Sequence, residues 1–281
     1  MLMQDKTISV IVPVFNEEKT VAKVAQALIA YDDISGVSPA IKSKSAIELI
    51  FVNDGSMDKS KEILESFNNQ IKLINLERNY GKGFALAVGV KKATGGIVIF
   101  LDADLLNLKP EHVDRLALPL LINQADVVLA KISSTTGLFD PFPPFSGQRA
   151  YWRKDLLPHL KQIAKTRYGV EVYLNNAFKK KKTKTVKLKD ISYLLKRQKM
   201  DLSLLPSVYL KQALEISKTI ARVNGMSLKK VKSVFDDKKI KSIKNLLITV
   251  DQSQDIKDLK GVRKYIMSHL PKYFKFKDKN E

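Results

Sequence analysis

The 281-residue sequence predicts an α/β fold: a mainly parallel sheet flanked by helices, followed by a helical, basic C-terminal extension. Three observations carry that prediction. Short Val/Ile/Leu runs alternate with segments of helical period along the first 131 residues. Residues 97–101 (IVIFL) form an unbroken apolar run, as a strand buried on both faces requires, and it stops at Asp102 and Asp104. The charge then changes: residues 1–150 carry 16 Lys and Arg against 17 Asp and Glu, whereas residues 151–281 carry 33 against 12. A domain over 1–200 and a helical basic extension over 201–281 are expected.

The elements are read in order. Residues 7–14 (TISVIVPV) form the first strand, and Asn16 is placed to cap the next helix, with Glu17 and Glu18 in its first turn. Val21, Val24, Ala25, Leu28 and Ile29 give that helix its apolar face. Residues 35–45, rich in Ser, Pro and Lys, read as a surface loop. A second strand at 47–52 ends in the turn sequence Asn53-Asp54-Gly55-Ser56, and Asp54 is left to accept a hydrogen bond from a ligand, beside the Asp102 strand. The next helix carries Ile63, Leu64 and Phe67, and a third strand spans 71–76. Gly81-Lys82-Gly83 then opens an Ala-rich helix, a pattern that suits close approach to a phosphate but lacks Walker spacing.

Beyond the 97–101 strand the sequence predicts a helix at 111–121, a strand at 126–131, a short helix after Gln148-Arg149-Ala150, an amphipathic helix opening at 168–174 and an edge strand at 185–189 with alternating Lys. Residues 137–147 (GLFDPFPPFSG) read as a flap, a membrane contact or a loop packed on the core. From Leu202 the pattern is mostly helical, and the tail at 265–281 interleaves Lys with Tyr273, Phe274 and Phe276. That composition fits an interfacial anchor or a solvated helix packed on the domain.

The absence of Cys excludes disulfides and thiolate zinc sites. No signal peptide is read, and no apolar stretch reaches the roughly 18 residues of a membrane span. The expected location is cytoplasmic, with a peripheral position on the inner face of the membrane as the variant the basic half suggests. A net charge of +20 calls for an anionic partner: nucleic acid, lipid headgroups or a phosphorylated substrate, unless it serves solubility alone.

Asp102 and Asp104 stand at i and i+2, so in extended chain they share a side. Two carboxylates so close favour a cation between them, and oxygen ligands suit Mg²⁺ or Mn²⁺, with a substrate diphosphate completing the coordination; a solvated loop is the alternative. Arg149 is read as a phosphate partner. Glu171 is either favoured by a helix dipole or faces the site.

Four ordered segments carry a resemblance: residues 9–17 (SVIVPVFNE), 52–58 (VNDGSMD), 79–83 (NYGKG) and 100–105 (FLDADL). Together they resemble the family-2-type glycosyltransferases of the GT-A fold, over roughly residues 7–195. The 79–83 and 102–105 segments are similar to polyprenyl-phosphate sugar transferases. Residues 146–150 (SGQRA) and 168–171 (YGVE) are similar to the glucosyl-phosphoglycerate synthase branch. The resemblance implies that Pro13, Phe15 and Glu17 line a nucleotide pocket. Asp54 would bind the base or ribose, Lys82 would lie near the diphosphate, and Asp102, Ala103 and Asp104 would form the D-x-D segment, with Asp102 and Asp104 on ribose and metal. Arg149 and Glu171 would face sugar or acceptor.

Two departures stand out. The Glu-Asp base motif of inverting members is missing, which leaves Glu171 as candidate base. The late His of some relatives is replaced nearby by Tyr193, while His112, His159 and His269 lie elsewhere.

The function so implied moves a sugar from a UDP- or GDP-linked donor to a lipid-linked acceptor, or alternatively to a soluble phosphorylated one such as a phosphoglycerate. A nucleotidyltransferase would want a Gly-rich basic segment where Pro13-Val14-Phe15-Asn16-Glu17 stands. A nucleic-acid-binding protein is the remote alternative, since no nucleic-acid motif accompanies the charge.

Overall fold

Strand β1 (Ile8–Val14) lies inside the sheet, with a strand on either side, because its side chains are apolar on both faces apart from Ser9. Val10, Val12 and Val14 point to one layer and Ile11 to the other, as a period of two requires. In the computed structural model the described residues are 7–31, 47–132 and 146–194, with Gln212, Glu215, Ile216, Lys218, Thr219, Arg222 and Val223. The expectations for residues 35–45, for most of 137–147 and for most of 201–281, the tail included, lie outside them.

Parallel to β1 run β2 (Glu48–Asn53) on one side and β4 (Ile97–Phe100) on the other, with β3 (Lys72–Asn75) beyond β2. Further out lie β7 (Arg149–Trp152), β6 (Val127–Ile132) and β8 (Thr183–Leu188), giving the order β3-β2-β1-β4-β7-β6-β8. The sheet is parallel except for β7, which runs antiparallel to both β4 and β6. A two-stranded ribbon, β5 (Leu105–Leu106) with β9 (Ser192–Tyr193), follows directly on Asp104.

Helices cover both faces. On one, α1 (Val21–Ile29) and α4 (Pro110–Leu121) pack on Val10, Val12 and Leu101; on the other, α3 (Lys82–Lys92) and α7 (Val170–Ala177) pack on Ile11, Ile50 and Phe100. A Cβ at Gly89 would overlap the Ile11 side chain, so the Ala- and Gly-rich face of α3 lets the helix sit close on β1. Short helices α2 (Ser60–Glu65), α5 (Arg153–Leu156) and α6 (Leu160–Ile163) complete the layers. Among the described residues no helix is long and apolar enough to cross a membrane.

Three expectations are corrected. Asn16 does not cap α1, which starts at Val21 with no acidic residue in its first turn. Asn16 instead takes a left-handed backbone (φ 56), which Asn tolerates, and accepts a hydrogen bond from the Met57 N–H at 2.8 Å, tying the β1 and β2 ends together. Residues 149–152, for which the sequence predicts no strand, form a fully buried one, and the short helix expected after Ala150 begins only at Arg153. The Asp54 strand is not beside the Asp102 strand, because β1 lies between β2 and β4.

Candidate active site

Because β1, β2 and β4 are parallel, their carboxyl ends open on one edge of the sheet, where open α/β sheets bind ligands. Asp54 closes β2 there. Its N–H donates to Val14 O at 2.8 Å, and its carboxylate accepts the N–H groups of Tyr80 and Gly81, both at 2.8 Å. Asp54 is 2% exposed, and burial pushes its carboxyl above the ordinary range, opposed by those two N–H groups and by Arg167. The side chain left to accept from a ligand therefore holds the turn that delivers Lys82.

Lys82 is the first residue of α3. Its ammonium donates to Asp102 Oδ1 at 2.7 Å and to Glu171 Oε1 at 2.8 Å. Burial would lower its affinity for a proton, but the two carboxylates reverse that and hold it above the usual lysine value, so it stays charged. Asp102 Oδ2 accepts from Gln148 Nε2 at 2.8 Å, and Gln148 Oε1 accepts from Tyr193 Oη at 2.7 Å and Ser146 Oγ at 3.0 Å. Asp104 ends the same loop, and its carbonyl accepts the Leu194 N–H at 3.0 Å. Lys82, Asp102 and Glu171 thus meet directly, and Tyr193 joins them through Gln148.

The remaining expected residues fall in different places. Pro13, Phe15 and Glu17 are half-buried where β1 ends, with Glu17 accepting from Thr20 Oγ1 at 3.2 Å. Ala103 turns its methyl into the core beside Leu101 and Leu105, so only its backbone is available to a ligand. Arg149 does not present its guanidinium to a phosphate. It is 1% exposed, and donates to Ser146 O at 2.6 Å, Tyr151 Oη at 3.3 Å and Asn175 Oδ1 at 2.7 Å. Asn175 lies one turn beyond Glu171 on α7, so Arg149 fixes that helix against β7.

The glycines around Lys82 also have a different use from the one the sequence suggests. Gly81 adopts φ +99, and a Cβ there would stand 2.9 Å from the Arg167 side chain; one at Gly83 would overlap Thr166 Oγ1. Both admit the 163–167 segment of the protein itself. Arg167, Gln148 and Asn175 were not singled out from sequence. Their partners lie 88, 46 and 26 residues away in the chain, distances at which no local spacing signals a contact.

Among the described residues no three His, Asp or Glu side chains assemble into a metal cage. Asp102 and Asp104 follow β4 with hard carboxylate oxygen donors. That donor set fits a hard divalent cation whose other ligands come from a bound diphosphate.

Among solved structures the chain is similar to glucosyl-3-phosphoglycerate synthase of Mycobacterium tuberculosis, crystallised with Mn²⁺, UDP and glucosyl-3-phosphoglycerate. The TM-score is 0.57 at 24% identity, over 79% of this chain and 81% of that one, which places both in the GT-A fold. Among curated proteins it is 40% identical over 118 residues to undecaprenyl-phosphate 4-deoxy-4-formamido-L-arabinose transferase of Photorhabdus laumondii, covering 40% of this chain and 33% of the relative. It is 38% identical over 112 residues to an uncharacterized glycosyltransferase of Synechocystis, covering 39% and 32%. The chain thus matches about a third of the length of these relatives. The glycosyl transferase family 2 model matches residues 9–196, well over half the chain, and the protein belongs to that family.

Proposed function

We propose that the chain is a glycosyltransferase that moves a sugar from a UDP- or GDP-linked donor to a lipid-linked phosphate acceptor. The observation that carries this reading is the ammonium of Lys82, fixed between Asp102 and Glu171 at the carboxyl edge of the sheet. A charge already oriented by two carboxylates stabilises developing diphosphate charge without reorganising, which is where electrostatic catalysis gains most. Asp54 keeps the turn before Lys82 in register. Pro13, Phe15 and Glu17 stand where β1 opens on that edge and serve the nucleotide.

Asp102 and Asp104 would hold Mg²⁺ or Mn²⁺, which when bound supplies Lewis-acid stabilisation of the leaving diphosphate. Glu171, steadied through Oε1, either takes the proton of the acceptor group, a monoprotonated phosphate or the hydroxyl of a soluble acceptor, or orients it. Glu171→Gln separates the two roles, because an amide orients without accepting a proton.

The curated relatives, named as undecaprenyl-phosphate transferases, support the lipid-linked acceptor, and the basic second half suits an anionic membrane surface. A soluble phosphorylated acceptor is the second reading, supported by the structural neighbours crystallised with phosphoglyceric acid. The deciding experiment is thermal shift with UDP- and GDP-sugars, with and without Mn²⁺, followed by transfer assays with polyprenyl phosphate in vesicles and with phosphoglycerate in solution. Stabilisation by Mn²⁺ and nucleotide together, exceeding that by either alone, is expected from a site with only two protein carboxylates. No stabilisation by any nucleotide would refute the assignment.

A further inference from the structure

Arg167 takes no part in the reaction just described, yet it grips the turn that precedes Lys82. Its guanidinium donates to Tyr80 O at 2.9 Å, to Asn79 Oδ1 at 3.0 Å and to Glu215 Oε1 at 2.8 Å. Its side-chain stem covers Gly81. The same turn is held from the opposite side by Asp54, which accepts the Tyr80 and Gly81 N–H groups. The Tyr80–Gly81 peptide is therefore fixed at both poles, its N–H by a carboxylate and its C=O by a guanidinium, and the Tyr80 N–H is held by the same carboxylate. Lys82 follows with no intervening residue.

Arg167 is in turn anchored from beyond residue 200. Glu215, whose side chain is 11% exposed, also accepts the Tyr168 N–H at 3.4 Å. Gln212 hydrogen-bonds the Tyr168 side chain, and Thr219, 2% exposed, lies against Gly169. These positions are helical and spaced three and four apart, so they form one face on residues 167–169. Arg167 itself adopts φ +49, an uncommon backbone for a side chain of its size, which needs such surroundings to persist.

We propose that this helical face, acting through Arg167 as a positioning residue, sets the reach of Lys82 to Asp102 and so belongs to the donor site. A guanidinium presents donors in a fixed fork, and here three of them reach two separate stretches of chain, residues 79–80 and Glu215. Lysine could keep the pair with Glu215 but could not span the turn as well. The extension is thereby coupled to the chemistry at the sheet edge, although none of its described residues reaches that edge. The inference rests on Lys82 serving the donor diphosphate, and the test separates the two claims.

The full-length protein is compared with Arg167→Lys and Glu215→Gln. Amide hydrogen exchange over residues 78–84 needs no substrate; at least about tenfold faster exchange is expected in both variants, as local opening there becomes easier. Where transfer is measurable, KM for the nucleotide sugar should rise and kcat per folded molecule should fall, together lowering kcat/KM at least about tenfold, because the displaced Lys82 serves the diphosphate both when bound and as its charge develops. A merely structural role would lower only the apparent kcat, in step with the folded fraction, and leave KM unchanged. Unchanged exchange together with unchanged KM in folded Glu215→Gln overturns the proposal, and so does a loss that tracks unfolding. If the unaltered protein turns over no nucleotide sugar, the function assigned to the site fails, while exchange over 78–84 still decides whether the extension holds the turn.

Discussion

Replacing Lys82 by Met keeps the aliphatic stem and removes the charge. Two carboxylates, Asp102 and Glu171, would then face each other without the ammonium that links them. Each lost charge-assisted hydrogen bond is worth about 1.5–3 kcal/mol, and removing one partner of a buried pair costs about 3–5 kcal/mol. The side chains of Lys82 and Asp102 are each 20% exposed and that of Glu171 is 11% exposed, so water offsets part of the loss. The worked expectation is a destabilisation of about 2–4 kcal/mol, a fall of roughly 4–16 °C in Tm for a chain of this size.

Equilibrium urea unfolding of Lys82→Met, Glu171→Gln and the double variant reads the penalty and its origin. Neutralising Glu171 first should make the second change cheaper, with a coupling of about 1–2 kcal/mol. The pH dependence has a definite sign. The folded pKa of Lys82 is raised, so its contribution is complete below the unfolded value of 10.5 and is lost only as pH rises through the folded value. The penalty should therefore be flat between about pH 6 and about pH 9. A penalty below about 0.5 kcal/mol, the range of ordinary surface substitutions, or strict additivity in the cycle, would refute the bridge.

Three further outcomes are expected. Asp104→Ala should abolish transfer while thermal unfolding stays cooperative, and normal turnover would remove Asp104 from the site. Gly81→Ala adds a Cβ at φ +99 against Arg167, and should cost about 1–3 kcal/mol in urea unfolding; a neutral effect would show that the turn is not held as described. His112 accepts the Lys109 N–H at Nδ1 and therefore donates from Nε2 to Lys189 O at 2.9 Å, and burial lowers its pKa below 6.5. Its neutral form stabilises the fold above the unfolded pKa, and that stability is lost as pH falls toward the folded value. The loss between pH about 7.5 and about 5.5 should shrink in His112→Gln, and an identical slope would exclude the role.

What could be read from sequence follows the range of the interactions. Buried parallel strands need unbroken apolar runs, so β1, β2 and β4 are visible as text, and the acids that follow β2 and β4 stand out against them. Strand β7 is not visible in that way, because Arg149 reads as solvent-facing until Ser146 O and Asn175 supply its partners. Asn16 has the chemistry of a helix cap and of a left-handed turn alike, and only the neighbouring 53–58 turn decides between them. Asp54 and Asp102 follow strands two apart and are linked only through the 80–82 turn, Asp54 gripping its N–H groups and Lys82 extending to Asp102, a connection no local spacing signals.

Three basic residues break local rules here. Lys82 places a cation at the first position of α3, against the helix dipole. Arg149 sits in a strand with no exposed residue. Arg167 holds a left-handed backbone. Each deviation costs stability locally, and scattered accidents of this kind would have unrelated surroundings. These do not: Lys82 bonds Asp102, Arg149 anchors the helix that carries Glu171, and Arg167 grips the turn that carries Lys82. A chain that departs from its own preferences three times around one pair of carboxylates is stabilised elsewhere to do so, which is what a preorganised site requires and a passive sheet edge does not.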